Sequence, residues 1–144
     1  MTAMAGGQWS VKRGERMTIK SYRDLEVWQK AMDLVVVCYE ITKEFPKNEI
    51  YGLTSQLQRA AVSIPTNIAE GQARQYTKEF IQYLSISYGS IAEVETLMQI
   101  AEKLNYLNTN QLCKLMDRTA ALGRMINGLR KSLEKRHINT RGIK

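Results

Sequence analysis

Apolar side chains recur every three to four residues through most of the chain, a spacing that predicts helices and no strands. The first predicted helix runs from about residue 23 to 44. One stripe follows Leu25, Trp28, Met32, Val35 and Tyr39, and a second follows Val27, Leu34 and Ile41. With Val36, Val37 and Cys38 added, the middle of this helix is apolar nearly all round. Such a helix must be covered on more than one side, and in a small bundle the extra cover comes most simply from another subunit. Asp24 and Glu26 suit the positive end of the helix, and Phe45-Pro46 stops it before a turn at Lys47-Asn48-Glu49.

The stretch from Tyr51 to Tyr76 organises the rest. Its stripe of Leu53, Leu57, Ala60 or Ala61, Ile64 and Ile68 keeps one phase across Pro65. An interior proline removes an amide and crowds the carbonyl four residues back, at a cost of ~3 kcal/mol. Because a loop would reset the phase, the expectation is one kinked helix. Ser63, Thr66 and Asn67 should meet the freed carbonyls, and Gly71 should supply a left-handed cap. A third helix is expected from an N-cap at Thr77 to about Asn105, with Phe80, Leu84, Ser87, Ile91, Val94, Met98 and Ala101 inward. Ser85, Gly89 and Ala92 form a small-residue groove for which Ala60, Ala61 and Ser63 are the natural complement. A fourth helix follows from Asn108 or Thr109 to about Lys135, with Leu112, Leu115 or Met116, Thr119, Leu122, Ile126, Leu129 and Leu133 inward. Short connections make sequential helices antiparallel. The fold class is therefore all-α, an antiparallel up-down-up-down four-helix bundle over residues 21–136. Residues 1–20 show no periodicity and are expected to be a disordered N-terminal extension, with Met17 as an alternative first residue. Residues 137–144 read as a basic C-terminal tail.

At 144 residues the chain is one domain long. Its longest apolar run, Leu34 to Tyr39, is far too short to span a membrane, and no signal-peptide core precedes it. A cytoplasmic location is expected. Cys38 and Cys113 lie far apart in predicted helices, and His137 is the only histidine, so a metal site or a Cys-His pair has almost no raw material, and no cofactor is expected. Inward glutamates with a Glu-x-x-His motif, the mark of di-metal bundles, do not occur. The expectation is a non-enzymatic protein. Arg59, Asn67, Glu70, Arg74 and Glu93 read as a structural polar network at the proline and the subunit contact.

The net charge of +7 is unevenly placed: +3 over residues 1–22, −1 over 23–129 and +5 over 130–144. A basic end suits a polyanion, and phosphate contacts need only positive charge within reach. Lys114, Arg118, Arg124, Arg130, Lys131, Lys135 and Arg136 are the candidate nucleic-acid contacts. Arg124, Lys131 and Lys135 repeat at seven and four residues and so share one helical face.

Several runs resemble the 23S rRNA-intervening-sequence protein family, the four-helix bundle proteins. They are Tyr22-Arg23-Asp24-Leu25-Glu26-Val27-Trp28; Phe45-Pro46 with Glu49 and Tyr51-Gly52-Leu53; the long motif from Gln56 to Gly71; and Phe80-Ile81-Gln82-Tyr83-Leu84 with Gly89-Ser90-Ile91-Ala92-Glu93. Ser87-Tyr88 departs mildly from the usual small-then-basic pair before Gly89-Ser90. The resemblance implies a four-helix bundle assembled into a ring-shaped homopentamer. It also implies kinship with the accessory variability proteins of diversity-generating retroelements, which bind nucleic acid and a reverse transcriptase. The expected function is an oligomeric scaffold that binds RNA or DNA through its basic fourth helix and tail, as accessory to a reverse transcriptase. The alternative is a purely protein-binding oligomeric adaptor.

Overall fold

The computed structural model describes residues 21–142, with side chains through Asn139. The expectation for residues 1–20 lies outside the described residues. Four helices and no strand are present among those described: α1 (Glu26–Thr42), α2 (Leu53–Ala73), α3 (Thr77–Lys103) and α4 (Thr109–Gly142). A 3-10 turn at Tyr22–Asp24 leads into α1, with Ser21 Oγ accepting from the Arg23 amide. Tyr22 then packs edge-on against Trp28 at 5.1 Å.

On α1, Val27, Ala31, Leu34, Cys38 and Thr42 are buried, and Val35, Val37 and Ile41 pack half-buried beside them. Burial disfavours the Cys38 thiolate and pushes its pKa up to about 12, so this thiol is inert. Met32, Val36 and Tyr39 stay on the outside, with Val36 59% exposed. The chain's own helices therefore cover only part of the apolar belt.

Two corner connections meet at one end of the bundle. Glu49 Oε1 accepts from the Leu53 amide at 3.1 Å, satisfying one of the orphan donors at the start of α2. Its Oε2 accepts from the Tyr106 hydroxyl at 2.8 Å, and Tyr106 packs on Phe45 at 5.5 Å. A Cβ at Gly52 would lie 2.6 Å from Glu49 Oε1, so a side chain there would push the carboxylate away from the Leu53 amide. The Leu53 amide, and then the Tyr106 hydroxyl, hold the Glu49 carboxyl below its ordinary range.

Pro65 is buried inside a continuous α2. The polar residues around it bond carbonyls beside the freed one and not the freed carbonyl of Ala61 itself. Ser63 Oγ donates to the Ala60 carbonyl, Thr66 Oγ1 to that of Val62 and Asn67 Nδ2 to that of Ser63, at 2.8–3.0 Å. These carbonyls flank that of Ala61, the one left without its proline donor. Gly71 differs from expectation. It is a buried helical residue rather than a cap, and its added Cβ would lie 2.5 Å from Tyr83 Cβ. The left-handed residue that turns the chain is Gln75, with φ 66°.

Inter-helix contacts fix the antiparallel order. Between α2 and α3, Ser87 Oγ donates to the Ile64 carbonyl at 3.0 Å and Ser63 bonds Ser90. Between α3 and α4, Thr119 Oγ1 donates to Glu95 at 2.6 Å and Tyr88 lies over Gly123. The α1 helix packs against α2 and α4, closing the bundle. Leu34, Leu57, Ile64, Ile68, Leu84, Val94, Met98, Leu115 and Ile126 fill its core. The predicted small-residue groove is displaced: Ser85, Gly89 and Ala92 are exposed, and nothing lies near the place of a Cβ at Gly89. Close approach to α2 is made instead by Ser87, Ser90 and Tyr83.

The fourth helix begins with a reciprocal cap: the Gln111 amide donates to Asn108 Oδ1 and the Asn108 amide to Gln111 Oε1. It then runs seven residues past the expected end at Lys135, to Gly142, so most of the basic tail continues the helix.

Candidate nucleic-acid interface

The helices divide the charge among themselves. Counting Lys and Arg against Asp and Glu, α1 carries −2, α2 carries 0, α3 carries −2 and α4 carries +6. The basic helix thus lies between two acidic neighbours, which favours its seat in the bundle and leaves its outer face positive.

The inward stripe of α4 is Leu115, Thr119, Leu122, Ile126 and Leu133, all buried. On a 3.6-residue helix Arg124, Lys131 and Lys135 point directly away from that stripe. All three are exposed, and they span ~16 Å of helix axis at ~1.5 Å per residue. Lys114, Arg118 and Arg136 are also exposed, on the flank of α4 that leans towards α1. Between them the outer face is built from Ala120, Ala121 and Gly128, which keep the surface low; a Cβ at Gly128 would meet nothing. Asp117 and Glu134 are the acids on α4. Arg130 stands apart from the other six. It is half-buried, its Nη1 donates to Asn127 Oδ1 at 3.2 Å, and its Nε is buried without a partner. Its bonded partner lies one turn back on α4 itself.

The five residues expected to form one polar network separate. Arg74 is the hub: it pairs with Glu70 at 3.3 Å and Glu79 at 3.4 Å, accompanies the Tyr83 ring at 5.2 Å, and donates to the Tyr83 hydroxyl at 2.8 Å. Tyr83 in turn donates to Glu70 at 3.1 Å. The hydrogen bond to Glu70, followed by the neighbouring Tyr83, raises the Arg74 pKa. Asn67 is engaged with the α2 backbone, Arg59 lies on an open groove, and Glu93 is exposed. The α3 carboxylate that turns towards α4 is Glu95, through Thr119. Periodicity distinguishes these two: Glu95 falls nearer the Ile91–Met98 side of α3, whereas Glu93 falls on the far side. Tyr83 and Glu79 were missed because their roles arise only when the α2–α3 turn brings them beside Arg74.

No group of three or more metal-ligating side chains exists among the described residues, and no described helix is long and apolar enough to cross a membrane. A model of the 23S rRNA-intervening sequence protein family matches residues 23–128. The chain belongs to this family. The match spans all of α1, α2 and α3 and the first 20 of the 34 residues of α4, so it stops short of the most basic turns. A crystal structure at 1.70 Å of a protein with unknown function from the S23 ribosomal protein family of Bacteroides thetaiotaomicron VPI-5482 is similar, with a TM-score of 0.65. It is 19% identical, and the similarity covers 73% of this chain and 98% of that one. At that identity it speaks for the fold alone. No curated protein matches the chain.

Proposed function

We propose that this member of the 23S rRNA-intervening sequence protein family is a non-enzymatic scaffold in the cytoplasm that binds nucleic acid along the outer face of α4. The observation that carries this reading is the concentration of +6 on one helix of a bundle whose other three helices sum to −4. Exposed Arg124, Lys131 and Lys135, set over small residues, let a phosphate backbone approach closely. Contacts of this kind are sequence-independent and fall steeply with salt. A single α4 face offers few phosphate contacts, and several copies would raise affinity through avidity. A ring-shaped homopentamer, as the family resemblance implies, would align such faces into a band, to which a reverse transcriptase could also be recruited.

The experiment is a titration of structured RNA and of duplex DNA at several salt concentrations. Micromolar or tighter binding to either polymer supports the reading. Absence of binding at low salt would refute it and favour the protein-binding adaptor, in which the same cations dock an acidic partner.

A further inference from the structure

Positive charge alone does not distinguish a duplex from a single strand, but the make-up of α4 does. None of its 34 residues is Phe, Tyr or Trp. Tyr88 of α3 reaches across to α4, yet it lies over Gly123, which is buried. The outward face therefore offers cations and small side chains but no ring on which a base could stack. Arg124, Lys131 and Lys135 on that face, with Arg118 on its flank, are exposed, and none of them belongs to an ion pair among the described residues. From Arg118 to Lys135 they extend over ~26 Å of one continuous helix at ~1.5 Å per residue. Asp117 lies just before this run, and Glu134 turns to the α3 side beside Lys78 and Ile81, so no acid interrupts it.

We infer that the outer face of α4 takes a double-stranded helix, held through its phosphates, in preference to a single strand. This inference rests on the nucleic-acid reading above and names the form of its ligand. A duplex carries one charge per ~1.7 Å of its axis and a single strand one per ~3.4 Å, so ~26 Å of α4 faces about fifteen charges in the first case and about half as many in the second. A row of cations fixed on a rigid helix also suits a polymer that is already straight. Duplex DNA stays so over ~150 base pairs, whereas a single strand must lose conformational freedom to lie along α4. Proteins that hold single strands offset that loss by stacking bases on aromatic side chains, a contact that α4 cannot make.

The test titrates the full chain at one low salt concentration with a short duplex DNA, a duplex RNA, and oligo(dT) and oligo(U) of the same length. The more tightly bound duplex should exceed either single strand by at least about tenfold in affinity. Gly128→Trp then supplies the missing ring at an exposed position with nothing close by. It should raise the affinity for oligo(dT) several-fold and leave the duplexes no tighter, with circular dichroism checking that the helices persist. Single strands bound as tightly as the duplexes would overturn this inference and leave the nucleic-acid reading standing. An unchanged affinity of Gly128→Trp for oligo(dT) would overturn it too, since stacking would not be what the face lacks. Binding to none of the four polymers would overturn the nucleic-acid reading itself, and this inference with it.

Discussion

Two glycines in helix interiors should respond to the same substitution with opposite signs. Ala replaces Gly in a helix with a gain of about 1 kcal/mol in propensity wherever the added methyl fits. Gly128 is such a place, exposed on α4 with open space around it. Gly128→Ala should therefore stabilise by about 1 kcal/mol. At Gly71 the methyl would stand 2.5 Å from Tyr83 Cβ and 3.2 Å from Phe80 Cδ1. Ordinary carbon contacts begin near ~3.5 Å, so α2 and α3 must separate by about 1 Å. The atom struck is a Cβ fixed to the α3 backbone, not the tip of a flexible chain. Overpacking of this kind costs about 1–3 kcal/mol, and the rigid contact places Gly71 towards the upper end. After the propensity gain the net loss should be about 2 kcal/mol. In a chain of this length that lowers Tm by about 4–8 °C, against a rise of about 2–4 °C for Gly128→Ala. Both are read in thermal melts at equal protein concentration, since assembly makes Tm concentration-dependent. A rise in Tm for Gly71→Ala would refute the close approach of α2 and α3 and restore the reading of Gly71 as an ordinary helix position.

Two further perturbations probe other joints. The Glu49 carboxyl has a folded pKa below its ordinary value, so its stabilisation is complete above that ordinary value and disappears as pH falls through the lowered one. Glu49→Gln should flatten this acid limb in melts followed from neutral to acid pH; an unchanged limb would show that Glu49 does not tie the two connections. Pro65→Ala restores an amide aimed at the Ala61 carbonyl and removes the ~3 kcal/mol helix penalty, against the loss of part of a buried ring. Tm should hold or rise, and a clear fall would mean that the ring's packing outweighs the recovered hydrogen bond.

What the sequence made legible follows its periodicity. The inward stripes of α3 and α4 were readable residue by residue, including Ser87 and Thr119, because a 3.6-residue period does not depend on the partner helix. The continuity of α2 through Pro65 was readable for the same reason. Features that depend on how two helices meet were not. Small size drew Ser85, Gly89 and Ala92 towards the α2 contact, yet the register puts Ser87 and Ser90 there and leaves Gly89 open. Gly71 looked like a terminus because its reason for lacking a side chain, Tyr83, lies twelve residues away on another helix. Glu93 was chosen over Glu95, and Arg130 was grouped with exposed cations, because sign and proximity in sequence say little about which side of a helix a long side chain takes. The exposed strip of Met32, Val36 and Tyr39 was visible as excess apolarity on α1, although which of those residues stay uncovered had to come from the packing.

The most direct test of the central claim is the salt dependence of nucleic-acid binding by the unaltered chain and by a variant with Arg124, Lys131 and Lys135 neutralised to Gln. Each phosphate contact contributes about 0.9 to the slope of log affinity against log salt for duplex DNA. A slope of several units is expected for the unaltered protein, and a distinctly smaller slope and weaker binding for the variant. Equal slopes and equal affinities would contradict the placement of the interface on the outer face of α4.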